Sequence, residues 1–249
     1  MRCSTRFHLS LTALVMLLCA GTAGADQLEL TGVVRDFSDE HSDFQRPASG
    51  YPLVTGMVRT DLGSDGLPVL NIDAEDDIPS IWRIESTNSF SQWFRNVEGT
   101  NESTKHTIVL EDPDGDGIYR FEASKHNGQS FFPVDGRLLG NEGRSHNYHF
   151  TYAIHTKFTY TDPEERETMT FSFSGDDDVW VYINRKLVVD LGGVHPEKYS
   201  SVNVDAIAER IGLEPGQTYD FHFFFAERHT TESNFTIETS IQFLSPLYD

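Results

Sequence analysis

The run Gly175-Asp176-Asp177-Asp178-Val179-Trp180-Val181-Tyr182-Ile183-Asn184-Arg185-Lys186-Leu187-Val188-Val189-Asp190-Leu191 decides how the rest of the chain is read. Val179, Val181 and Ile183 alternate with Trp180 and Tyr182. Period-two patterning of β-branched and aromatic residues marks a strand. Leu187–Leu191 is a second apolar run, and Asn184-Arg185 between the two suggests a tight hairpin. Upstream, Met169, Phe171 and Phe173 alternate with Thr168, Thr170, Ser172 and Ser174. Downstream, Tyr219, Phe221, Phe223 and Phe225 share one face of a long strand. Phe235, Ile237, Ile241 and Phe243 do the same opposite Asn234, Thr236, Glu238, Ser240 and Gln242. Such alternation predicts half-buried antiparallel strands. One short helix is expected, with Asp205 capping Ala206 to Ile211 and Gly212 ending it.

The N-terminal half carries looser strand signals at Leu28–Val34, Val54–Val58, Leu67–Ile72, Ile81–Ile84, Thr107–Leu110, Tyr119–Phe121 and Thr151–Tyr160. Gly, Pro and Asp punctuate the stretches between them. No repeat, low-complexity linker or charge block divides the chain. The expected architecture is one all-β domain over residues 26–249, an antiparallel β-sandwich with long loop insertions and one short helix.

Residues 1–25 are expected to be a secretory signal peptide. Met1–Arg6 carries two arginines and no acid, Leu9–Ala20 is a short apolar run, and Ala23-Gly24-Ala25 is a small-x-small cleavage site. The 249-residue chain has 19 Lys plus Arg against 39 Asp plus Glu. Removal of Arg2 and Arg6 leaves 17 basic residues and a formal charge of −22. Phosphate backbones demand a cationic surface, so nucleic acid is excluded as a partner. Cys3 and Cys19 leave with the leader, so disulfides, thiol nucleophiles and thiolate metal sites are excluded from the exported protein. No later apolar run reaches bilayer length, so no membrane span is expected.

Two acidic loops and one polar loop carry the candidate chemistry. In Asp176-Asp177-Asp178, two carboxylates 5 Å apart would repel by roughly 3 kcal/mol at an effective dielectric near 20. A hard, oxygen-seeking cation such as Ca²⁺ is a natural partner, and a solvated acidic turn is the other reading. Asp112-Pro113-Asp114-Gly115-Asp116-Gly117 has the opening of an EF-hand-like loop, but position 12 is Ala123 rather than Glu. Asp112, Asp114 and Asp116 are therefore weaker calcium ligands or a Gly-Asp turn. Glu227 to Asn234 is a polar loop between two aromatic strands, at an end where binding loops gather. Glu227, Arg228, His229 and Asn234 there have groups that hydrogen-bond sugar hydroxyls, and His195 is a further candidate. His146, His149 and His222 read individually as hydrogen-bonded structural groups. No Gly-x-Ser-x-Gly, Walker-type or His-Glu-x-x-His signature is present. Asn101-Glu102-Ser103 and Asn234-Phe235-Thr236 are glycosylation sequons in a eukaryotic host.

The segments Gly175–Asn184, Lys186–His195, Phe224–His229 and Ser233–Phe235 resemble the fibro-slime domain. Trp93-Phe94, Phe131–Gly136 and His146–Thr151 extend the resemblance, with a signature core at 146–244. That domain is similar to the anthrax-protective-antigen-type β-sandwich of jelly-roll kind, found in adhesins, flocculins and glycosidase appendages. In sugar-binding members of that wider family an Asp pair holds a Ca²⁺ that contacts glycan hydroxyls, and a later loop supplies an Asn ligand. The resemblance places those roles on Asp176, Asp177 and Asn234, with Asp178 standing where the wider family often has Gly. The expectation is a secreted, non-catalytic, calcium-dependent module binding a glycan or polysaccharide in adhesion or extracellular matrix. The alternatives are a structural or protein-interaction sandwich whose calcium stabilises loops, contacting matrix or cell-surface protein, and a glycoside hydrolase with a carboxylate pair.

Overall fold

Every period-two run of the C-terminal half becomes part of one antiparallel sheet. The computed structural model describes residues 26–45, 52–73 and 78–244. The expected signal peptide, residues 1–25, lies outside the described residues. The strands are β1 (Asp26–Phe37), β2 (Asn101–Asp112), β3 (Tyr119–Ala123), β4 (Phe150–Tyr160), β5 (Thr170–Gly175), β6 (Asp178–Ile183), β7 (Lys186–Leu191), β8 (Lys198–Asn203), β9 (Gln217–Glu227) and β10 (Phe235–Thr239). Their order is β7-β6-β9-β4-β1-β2-β3-β10-β5-β8. Edge strands β7 and β8 approach one another, so the ten-stranded sheet curls into a nearly closed barrel. The all-β antiparallel expectation holds, as one curled sheet enclosing a core.

Side-chain alternation sorts the aromatics between two apolar clusters. Phe221, Phe223 and Phe225 face the enclosed core with Phe171, Phe173, Val179, Val181 and Phe235. Trp180, Tyr182 and Phe224 face the other way, onto a second cluster with Phe37, Phe44, Trp93 and Phe94. Fully burying each such side chain contributes about 1.5–3 kcal/mol. This corrects the half-buried expectation for β6, whose six residues are all buried. Described residues between β1 and β2 lie over its outer face and, with Phe37, Trp180, Tyr182 and Phe224, make the second cluster.

The same covering role explains the misread N-terminal strands. Val54 and Val58 make isolated bridges to Gly192 and Leu70 rather than strands. Ser80–Trp82 is a 3₁₀ turn that overlaps the start of the expected Ile81–Ile84 strand. The apolar side chains of these segments, Met57, Leu70, Trp82 and Ile84 among them, pave the second cluster without forming ladders. A short helix α1 (Thr87–Ser91) has a Ser86–Ser89 capping box and is too brief to show a period in sequence.

The hairpin expectation at Asn184-Arg185 holds. Both residues have positive φ, 49° and 65°, as a two-residue type I′ turn requires. The second helix, α2 (Val204–Ile211), ends at Gly212 in the left-handed conformation as expected. Its N-cap is Asn203, not Asp205, and Asn203 Oδ1 accepts from Ala206 N at 3.0 Å. Asp205 instead pairs with Arg166 at 2.6 Å and accepts from Met169 N at 2.9 Å.

Asp36 is fully buried at the end of β1, accepting from Leu139 N at 2.8 Å and Asn147 Nδ2 at 2.8 Å. Burial pushes its pKa up to about 6, against the opposing effect of those hydrogen bonds. A raised carboxyl pKa favours the protonated folded state, so its contribution is full below about pH 4 and is lost as pH rises through about 6. The stability gap between wild type and Asp36→Asn is therefore expected to narrow from pH 4 to pH 7. Urea unfolding of both proteins across that range measures it, and a constant gap contradicts the assignment.

Candidate functional site

Sheet order brings the two sequence-distant polar loops together. Asp176 and Asp177 connect β5 to β6, while residues 228–234 connect β9 to β10. β5 pairs with β10 and β6 pairs with β9, so both loops cross the same gap side by side. Gly175 permits the approach: a Cβ there would stand 2.4 Å from the Asn234 carbonyl oxygen. Asp177 turns the chain in the left-handed region at φ 58°, which Asp tolerates better than most residues.

The three aspartates of the run have three different environments. Asp178 opens β6 with no exposed surface, and its Oδ2 accepts from Arg228 Nε at 2.6 Å. Its Oδ1 accepts from Gly193 N at 2.7 Å. Asp177 Oδ2 accepts from Arg228 N at 2.7 Å. Burial pushes the Asp177 pKa up to about 8, with the Arg228 charge pulling the other way. Asp176 accepts from both the backbone N and the side-chain Nδ2 of Asn234, the latter at 2.8 Å. Burial pushes the Asp176 pKa up to about 6. Glu227 has no exposed surface, and burial followed by the charges of Asp177 and Asp176 holds its carboxyl well above the usual range.

Asp176, Asp177, His195, His229, Thr230 and Glu232 line a pocket of about 360 Å³. Nearby, Glu227 Oε2, Ser233 Oγ and His195 Nε2 are buried without a hydrogen-bond partner among the described residues. Buried polar atoms normally have partners, so one orphan on the pocket wall, His195, and two at the end of β9 and in the β9–β10 connection that helps line it are informative. Asp176, Asp177 and Glu227 offer oxygens of the kind a hard cation such as Ca²⁺ takes, although their carboxylates are not drawn together as a three-ligand group among the described residues, so binding would require them to close in. Asp176, Asp177 and Glu227 are the residues that would hold it.

Several expected site residues have other work. Arg228 is 1% exposed. Beyond Asp178, its guanidinium donates to the carbonyls of Asp43, Arg83 and Trp82 at 3.2–3.3 Å and lies 4.9 Å from the Trp93 ring centroid. It is an internal counter-charge, not a contact for a glycan. Asp178 is correspondingly removed from the ligand set. Glu227 has no exposed surface and is not among the residues that line the pocket. Asn234 is 1% exposed and presents no oxygen to the pocket, because its Oδ1 accepts from Lys125 N at 2.9 Å. That burial also removes its side chain as a glycosylation acceptor in the folded chain.

The Asp112–Gly117 loop is satisfied internally. Asp112 accepts from Asp116 N and Gly117 N at 3.1 and 2.9 Å, and Asp116 pairs with Arg120 at 2.9 Å. Asp114, exposed in the same loop, does not join a multi-ligand group among the described residues. His146 and His149 face Asp135 and Glu142, consistent with structural roles. Thr230 and Glu232 were missed as pocket residues; their place within the polar loop was the available signal.

Residues 144–246 match the PA14 domain family. That segment is similar to a PA14 domain. The chain as a whole is similar to psi proteins of Dictyostelium discoideum. It is 39% identical to protein psiQ over 223 residues, 84% of this chain and 20% of that protein. It is 40% identical to protein psiR over 236 residues, 89% of this chain and 22% of that protein. Protein psiC is 36% identical over 89% of this chain and 42% of its own length. The chain thus spans less than half the length of these relatives. The crystal structure of the PA14 domain of the MpAFP antifreeze protein covers 49% of this chain and 64% of its own, at 9% identity and a TM-score of 0.29.

The Asp178–Arg228 pair is expected to dominate local stability. Removing one partner of a buried pair leaves an uncompensated charge and costs about 3–5 kcal/mol. Asp178→Ala should lower the unfolding free energy by that amount in urea titration. Asp61→Ala, which removes an exposed partner of Lys186, should change it little. Equal effects would contradict the burial argument.

Proposed function

We propose that the chain is an exported, non-catalytic, calcium-dependent carbohydrate-binding module of the fibro-slime type, acting in adhesion or extracellular matrix. The observation that carries this reading is the pair Asp176 and Asp177, lining a pocket with the unpartnered Glu227 Oε2 nearby. A divalent cation would replace the protons that burial favours on these carboxyls. Its remaining coordination positions would take vicinal sugar hydroxyls at the pocket mouth. His195, His229 and Glu232 supply the polar walls. The PA14 match over residues 144–246 supports the carbohydrate class, and the hydrophobic N-terminal run supports export.

Calcium at about 100 times its Kd should raise Tm by roughly 5–10 °C, from mass-action stabilisation of a domain this size. Asp176→Ala with Asp177→Ala should abolish that rise. A glycan array run with and without chelator should show binding that chelator removes. Glycan binding unchanged by chelator and by the double substitution rejects the calcium mechanism. A calcium-dependent Tm rise without any glycan bound rejects the carbohydrate reading and leaves a calcium-stabilised structural module.

A further inference from the structure

Away from the Asp176–Asp177 pocket, β4 and β9 bring a second ligand-type cluster together. Their register sets His155 directly opposite His222. Opposed residues project from the same face of an antiparallel pair, and Asp220, two residues before His222, shares that face. The two imidazole rings stack with centroids 4.1 Å apart and planes 7° from parallel. His155 Nε2 lies 3.0 Å from Asp220 Oδ1. One ring nitrogen from each histidine and one Asp220 oxygen all lie within 4.8 Å of one another. His222 is 7% exposed. The cluster borders a cavity of about 500 Å³, whose other walls include Gly66, Leu67, Phe94 and Arg185.

We propose that His155, His222 and Asp220 form a binding site for a divalent transition-metal ion, with zinc the ion it takes. Two imidazoles and one carboxylate suit borderline metals, whereas the all-oxygen carboxylate set near Asp176 suits calcium. Metal–ligand bonds near 2.1 Å place tetrahedral ligand atoms roughly 3.4 Å apart, so the 4.8 Å spread must contract. His155 is 57% exposed, and rotation of that side chain supplies the contraction.

Two nearby cations do not bar the ion. Lys157 Nζ is 3.6 Å from Asp220 Oδ1, but its side chain is 40% exposed and can swing into solvent. Arg185 is engaged by the carbonyls of Leu62 and Gly63. Three protein ligands leave at least one coordination position for water or a small molecule.

Calorimetric titration of zinc chloride into the full chain, at pH 7.5 with saturating calcium, tests the site. Wild type should bind one zinc ion at this cluster. His155→Ala should weaken that binding by about 100-fold. Asp176→Ala should leave it unchanged, which separates this proposal from the calcium reading. The imidazole NMR resonances of His155 and His222 should shift together within the first equivalent of zinc. Absence of zinc binding, or unchanged affinity in the folded His155→Ala variant, overturns the proposal. Because His155 is half-exposed, its replacement remains informative if a His222→Asn variant fails to fold.

Discussion

The buried ion pair between Asp178 and Arg228 is the interaction on which the arrangement around it depends. Neither side chain has access to water. Two desolvated charges are tolerated only with close geometry and with their remaining hydrogen-bonding capacity satisfied. Here Asp178 takes a backbone N–H from Gly193, and Arg228 donates to three carbonyls. Those carbonyls belong to Asp43, Trp82 and Arg83, in the segment that covers the sheet's outer face. The pair therefore joins the C-terminal strands to the N-terminal covering layer. Trp93 continues that junction, stacking on Arg228 while its Nε1 donates to Asp43 at 2.9 Å.

The same pair divides the acidic run by chemistry. Arg228 neutralises Asp178, leaving Asp176, Asp177 and Glu227 desolvated with incomplete compensation. Their raised pKa values are the signature of carboxylates that favour a proton or a cation over an open charge. Calcium in the proposed function acts on this remainder, not on all three aspartates of the run.

The PA14 match begins at residue 144, yet the structural unit does not. β1, β2 and β3 occupy the middle of the strand order, between β4 and β10. Without them the sheet would be cut in two. The alignments with protein psiQ and protein psiR run over 84% and 89% of the chain, beyond the PA14-matched segment. The sequence signal of the N-terminal half is weaker because much of it forms covering loops whose apolar residues follow no period.

Local sequence determined the antiparallel strands of the C-terminal half, the Asn184-Arg185 hairpin and the Gly212 helix stop, since alternation and turn chemistry act between near neighbours. It also marked Asp176, Asp177 and His229, because acidic and polar runs between patterned strands are visible without a fold. Only the tertiary structure decided that Arg228 answers Asp178, that Asn234 holds Asp176, and that His155 stands against His222. Each depends on strand register and burial between residues far apart in the chain. A charge's partner and its exposure to water are set by what packs around it, and no local pattern encodes that.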